Sequence, residues 1–213
     1  MAHMTNHIQI GFTKSELRTF SKLTTPCKIQ EFLDSFPYSA EERYRCPRSV
    51  LLDRKAHCYD GAVFAAAALC IIGFPPLLVD MLPNKRDDDH ILAVFRLKDH
   101  WGAVAKSNYS GLRFREPVYR SLRELIMSYF ESYFNIAGEK TLVGYTAPVN
   151  LNRFAHLDWF VNDSAMDAIA KGLDDARKYK VLTPSMAWQL SALDKRSYDA
   201  GLLGANYKGL FQP

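Results

Sequence analysis

Two residues of this chain have the type and setting for thiol chemistry. Cys58 lies in Ala56-His57-Cys58-Tyr59-Asp60-Gly61-Ala62, ahead of a long run of small residues, and reads as a cysteine on the first turn of a helix. A thiol is a poor nucleophile at neutral pH until it ionises. A helix start favours the thiolate through unpaired backbone N–H groups and the helix dipole. The same N–H groups can receive the oxyanion of a tetrahedral intermediate. His90 follows Asp87-Asp88-Asp89 and opens the apolar stretch Ile91-Leu92-Ala93-Val94-Phe95, so it reads as a histidine at a strand start. An imidazole beside a thiol takes its proton and returns it to the leaving group.

The elements that must bring these two together can be read from periodicity. From Cys58, residues Val63, Ala66, Ala67 and Cys70 recur at helical spacing, and Gly73 with Pro75-Pro76 ends the helix. So many alanines require neighbours to pack closely, which makes this the central helix. Leu77 to Met81 reads as a short strand, followed by a polar loop, Pro83 to Asp89. His90 to Leu97 and Trp101 to Lys106 read as a hairpin around Lys98-Asp99-His100. A turn centred on Asp99 sets Asn108 opposite His90, and a shift of half a residue sets Ser107 there instead. Either side chain could fix the imidazole tautomer, as the third member of a catalytic triad does.

The flanking segments read as helices and one further strand. Thr24-Thr25-Pro26 starts a helix with Ile29, Phe32 and Leu33 on its buried face. A long amphipathic helix is expected over Ser121 to Phe134, and a strand within Thr141 to Val149. Asn162-Asp163-Ser164 caps a helix carrying Met166, Ile169, Ala170 and Leu173, and a short helix is expected around Ser185 to Leu193. Ile8 and Ile10 alternate as a short strand would, and Met1-Ala2-His3-Met4 has the look of a cloning remnant. With no repeat and no linker, residues 5–213 read as one domain of α+β class, helices first and then an antiparallel sheet.

Composition narrows the function classes. At 213 residues with 48% hydrophobic and 13% aromatic content, the chain can bury a full core and is not a disordered one. A net charge of +4 with scattered Lys and Arg argues against a nucleic-acid partner. No apolar run approaches a membrane span or a signal region, so a cytoplasmic location without membrane association is expected. The four cysteines, Cys27, Cys46, Cys58 and Cys70, have neither paired nor metal-type spacing. No metal and no cofactor is expected. The other candidates have plainer readings. His57 is expected to point away from Cys58, the alternative being to repel the thiol proton; Gln30 to lie on the surface, the alternative being to reach an oxyanion; and Arg113, Arg115 and Glu116 to form a salt-bridged edge, the alternative being to bind an acidic part of a substrate. Trp101, Trp159 and Trp188 are expected in the core or at its rim.

A cysteine at a helix start, then a histidine on one strand and a polar residue on the next, is the chain order of the transglutaminase-like superfamily. These are circular relatives of the papain-like cysteine enzymes. More narrowly, several stretches together resemble a bacterial subgroup of that superfamily over about residues 25–155. They are Cys46-Pro47-Arg48-Ser49-Val50-Leu51, Ala56-His57-Cys58, Pro76-Leu77-Leu78 and Asp88-Asp89-His90. Trp101 to Asn108, Leu112 to Tyr119, Ser128-Tyr129-Phe130 and Lys140-Thr141-Leu142 complete the set. The resemblance implies a cysteine-bearing central helix packed on an antiparallel sheet, with flanking helices, and a Cys58-His90-Asn108 site; it implies no substrate. One departure stands out: transglutaminases carry an aspartate in a strand resembling Leu-Asp-Pro-Thr, where this chain has Val104-Ala105-Lys106-Ser107-Asn108. An asparagine orients a histidine but supports an imidazolium less than a carboxylate does.

Two readings follow. The first is a thiol-dependent acyl-transfer enzyme, hydrolysing or transamidating an amide, ester or thioester of a peptide, protein or small acyl substrate. The alternative is a catalytically inactive fold of the same kind acting as a binding module, with Cys58 a buried small hydrophobe.

Overall fold

The computed structural model describes residues 11–213, and the strand expected at Ile8 and Ile10 and the segment 1–4 lie outside them. Among the described residues three short helices precede the cysteine helix: α1 (Lys14–Phe20), α2 (Pro26–Asp34) and α3 (Pro47–Asp53). Helix α2 starts as its sequence dictates, with the Thr25 side chain accepting from Lys28 N–H and Pro26 in the first turn. Helix α4 (Cys58–Ile71) follows with His57 at its N-cap, and every residue from Tyr59 to Leu69 is buried. A helix apolar on all sides must be enclosed on all sides.

A seven-stranded antiparallel sheet supplies one wall of that enclosure. Its strands are β1 (Leu77–Pro83), β2 (His90–Leu97), β3 (His100–Val104), β4 (Arg115–Tyr119), β5 (Leu142–Thr146), β6 (Val149–Asn150) and β7 (Lys178–Lys180). The order is β4-β3-β2-β1-β5-β7, with β6 pairing β1 beyond β5. Helices α5 (Leu122–Met127), α6 (Met166–Asp174), α7 (Pro184–Trp188) and α8 (Lys195–Gly201) complete the α+β architecture.

Strand β2 is apolar almost throughout because both of its faces are covered. Ile91, Ala93 and Phe95 join the core around α4. Leu92 and Val94 join a second core with Leu125, Ile126, Tyr129 and Tyr133. The alanines let the sheet approach α4 closely, and a Cβ on Gly61 would collide with the Lys106 side chain. Lys106 itself is buried, its ammonium donating to the carbonyls of Leu33 (2.9 Å) and Phe36 beyond the C-terminal end of α2. The Phe36 carbonyl, past the helix end, thereby gains a partner, and the Leu33 carbonyl gains a second beside Phe36 N–H at 3.2 Å.

The helix expected to run to Phe134 stops at Met127 and resumes only as a 3-10 turn, Phe130–Ser132. Ser128 is responsible: its hydroxyl bonds back to Leu125 O (2.6 Å) while the Arg115 guanidinium donates to its Oγ and carbonyl. Helix α3 and strands β4 and β7 are further elements. Trp159 is buried as expected of a core aromatic, but Trp188 is 92% exposed at the end of α7. No helix among the described residues is long and apolar enough to cross a membrane.

Candidate active site

The start of α4 is locked to the loop before it by backbone and by charge. Tyr38 forms a parallel bridge with Ala56, and Ser39 N–H donates to Ala56 O at 3.0 Å. Asp60, two residues into the helix, accepts the Arg45 amide at 2.7 Å and faces the Arg45 guanidinium at 3.3 Å; both side chains are fully buried. Arg45 also donates to Asp53 at 2.9 Å and pairs with Glu41. His57 turns toward Asp60, Nε2 lying 3.3 Å from Oδ1. Burial, with the nearby Arg45 charge, holds its imidazole down near a pKa of about 4, so it stays neutral.

This clamp brings Tyr38 to Cys58. The Tyr38 phenol and Cys58 border the same two cavities, and the phenol lies near enough to the Cys58 sulfur to favour its thiolate. The Ile91 N–H also lies on the side of the sulfur where it favours the thiolate, and the thiol donates to Asp89 O at 4.0 Å. These donors favour the thiolate, yet burial and the Asp89 and Asp88 carboxylates push the Cys58 thiol well above its ordinary range. The resting group is therefore a neutral thiol, and the helix-start lowering expected from sequence is overridden. Tyr38 gave no signal in the sequence, since its approach depends on a backbone bridge and not on a side-chain pattern.

His90 is buried at the start of β2, with Nε2 2.8 Å from Leu112 O. A carbonyl can only accept, so Nε2 carries the proton and Nδ1 is the ring's acceptor. Burial drives the His90 pKa down to about 4, helped by the Arg115 charge and opposed by the Leu112 bond. Cys58 and His90 line one small cavity of ≈ 50 Å³ together with Ser107 and Asn108. No hydrogen bond joins the sulfur to the imidazole among the described residues.

The hairpin pairs Leu97 with His100 and Ala93 with Val104, the register that extrapolates to Ser107 opposite His90. The strand ends at Val104, so that pairing is not reached. Ser107 Oγ accepts Tyr109 N–H at 3.0 Å. Asn108 donates to Asn206 O (2.8 Å) and accepts from Asn206 N–H (2.7 Å), which ties the C-terminal segment across the cavity. A backbone carbonyl, that of Leu112, is thus what holds the imidazole.

The remaining candidates have structural work. Gln30 is buried and not on the surface, bonding Ala105 N–H and O at 3.0 and 2.9 Å. Arg113 pairs with Asp34 of α2, whereas Arg115 lies over the Tyr129 ring at 3.9 Å and bonds Ser128, so Arg113, Arg115 and Glu116 do not form one salt-bridged edge. No group of three or more His, Cys, Asp or Glu among the described residues is arranged to hold a metal ion. Cys58 also opens onto a larger cavity of ≈ 490 Å³, bordered by Tyr44, His57, Asp80, Asp88, Asp89 and Asp174 among others.

No protein-family model matches the chain. No curated protein matches it either. A solved structure, "Legionella pneumophila LapG (EGTA-treated)", is similar over 79% of this chain and 96% of that one, at 11% identity and a TM-score of 0.40.

Proposed function

We propose that the protein is a thiol-dependent acyl-transfer enzyme of the transglutaminase-like kind, with Cys58 as nucleophile. The observation that carries this reading is that Cys58 at the start of α4, His90 at the start of β2 and the Tyr38 phenol border one cavity. A hydroxyl and a helix-start amide beside a thiol are the kinds of donor that a tetrahedral oxyanion needs.

In the proposed reaction the Cys58 proton passes to Nδ1 of His90 as sulfur attacks the carbonyl carbon of an amide, ester or thioester. The oxyanion is received by the Tyr38 hydroxyl and the Cys58 N–H. Its collapse breaks the bond to the leaving group, which takes the proton from His90, and the acyl group remains on sulfur as a thioester. Water or an amine then attacks the thioester, giving its proton to His90, and the thiol is restored. The Leu112 carbonyl keeps Nε2 protonated, the role a third triad member serves, though a carbonyl lends less support to the imidazolium than a carboxylate. Asn108, by this reading, acts at a distance by holding residues 206–213 beside the cavity.

The binding-module reading draws support from one feature: among the described residues the sulfur's hydrogen bond goes to a backbone carbonyl, that of Asp89, rather than to an imidazole nitrogen. An activated acyl ester separates the two. Acylation confined to Cys58 and slowed in His90→Ala supports the enzyme, and acylation that persists in Cys58→Ala rejects it.

A further inference from the structure

Asp80 sits inside an apolar strand, Leu77-Leu78-Val79-Asp80-Met81, where a carboxylate is out of place by composition. It is 3% exposed, its carboxyl faces that of Asp89, and its Oδ1 has no hydrogen-bond partner among the described residues. Buried carboxylate oxygens are nearly always bonded, so an orphan one calls for a partner. Asp80 borders the ≈ 490 Å³ cavity that also holds Cys58, a volume typical of ligand sites.

Every charged group that borders this cavity is acidic. Asp88 and Asp89 stand on the loop before β2, Asp174 ends α6, and Glu41 and Glu42 come from the loop after Tyr38. Glu41 is paired with Arg45 and Lys55 on its own side, so it adds little. No lysine or arginine is among the bordering residues; Lys178 acts on Asp80 from outside them. The Tyr44 and Tyr59 rings, 4.6 Å apart, form an aromatic wall suited to an alkyl stem beneath a charged head.

We infer that this cavity is a subsite for a cationic side chain, lysine or arginine, of a peptide acyl substrate, with Asp80 on its floor and Asp88, Asp89 and Asp174 at its rim. The inference deepens the acyl-transfer reading and rests on it for the reaction at Cys58. Occupancy of the cavity does not require the thiol. The head group supplies Asp80 Oδ1 with its missing donor, and the carbonyl of the same peptide comes to the sulfur.

Peptidyl chloromethyl ketones test this in the full chain, because displacement of chloride by the Cys58 sulfur leaves a stable thioether. The probes differ only in one side chain: lysine, arginine, norleucine or glutamate. Labelling of Cys58 is expected to be about tenfold faster for lysine or arginine than for norleucine, the worth of one partly desolvated charge pair. Glutamate is expected to be slowest, and Asp80→Asn/Asp89→Asn is expected to erase the order. Equal rates for all four probes overturn the subsite. In parallel, fluorescence anisotropy of labelled Ala-Lys-Ala and Ala-norleucine-Ala peptides on Cys58→Ala reads occupancy without chemistry. If no probe labels Cys58 but the lysine peptide binds selectively, the acyl-transfer reading fails and the subsite stands. If neither peptide is preferred, the subsite fails on its own.

Discussion

Tyr38 and Cys58 face each other across the wall of the two cavities they both border, the phenol beside the sulfur. The contact exists because Tyr38 bridges Ala56 in parallel, two residues before the cysteine. One hydroxyl is therefore held where it serves the resting thiol and where it would serve a developing oxyanion.

Tyr38→Phe is expected to lower kcat for acyl transfer by roughly 10²–10³, the cost of removing one oxyanion donor. Steady-state kinetics with an activated ester, alongside a thermal melt that stays near the parent value, checks this. An unchanged kcat contradicts the assignment of Tyr38.

The Asp88 and Asp89 carboxylates raise the Cys58 thiol, after burial. Asp88→Asn/Asp89→Asn is expected to move the pH profile of Cys58 alkylation by iodoacetamide to lower pH, with faster labelling at pH 8. Site-resolved mass spectrometry gives the rate, with exposed Cys27 as the internal reference.

Burial, then the charges of Asp89 and Asp174, raise the Asp80 carboxyl to about 8 from an ordinary 3.8. Between those values the folded chain holds a proton that the unfolded chain has released. The stability this lends is full below 3.8 and is lost as pH rises through about 8. Asp80→Asn removes the cost of ionisation, so the variant is expected to exceed the parent by on the order of 2 kcal/mol at pH 8.5 and by little at pH 4. Urea melts at the two pH values check the sign.

Asp60 and Arg45 are both fully buried and bonded to each other. Asp60→Ala removes one of the three carboxylates around Arg45, Asp53 and Glu41 remaining, and is expected to cost about 2–3 kcal/mol through the lost charged hydrogen bonds. It also frees the loop that carries Tyr38, so activity is expected to fall even at temperatures where the variant remains folded.

How far the sequence reveals this arrangement depends on what kind of contact makes each part. The cysteine helix and strand His90–Leu97 announce themselves by period and by their flanking residues, and both are found where they were read. The hairpin register turns on half a residue, and the observed pairs fall on the Ser107 side. Strand Lys178–Lys180 is exposed at all three positions, so no apolar alternation marks it. The helix after Ser121 is cut short by a serine hydroxyl and a distant arginine, neither of which an amphipathic pattern registers. Tyr38 and the Leu112 carbonyl reach the site through backbone geometry, which side-chain spacing does not encode. Asp80 did leave a mark: a lone acid in an apolar strand is the signature of a group with a partner to find.

The account turns on Cys58 as the atom that carries the acyl group. Brief exposure to an activated acyl ester, quenching in acid and mapping of the acylated peptide by mass spectrometry test it most directly. The expected result is one acyl group on Cys58, absent in Cys58→Ala and formed 10²-fold or more slowly in His90→Ala, roughly the size of a general-base contribution. Acylation spread over Cys27 and the other thiols, or at an unchanged rate in His90→Ala, would contradict the account.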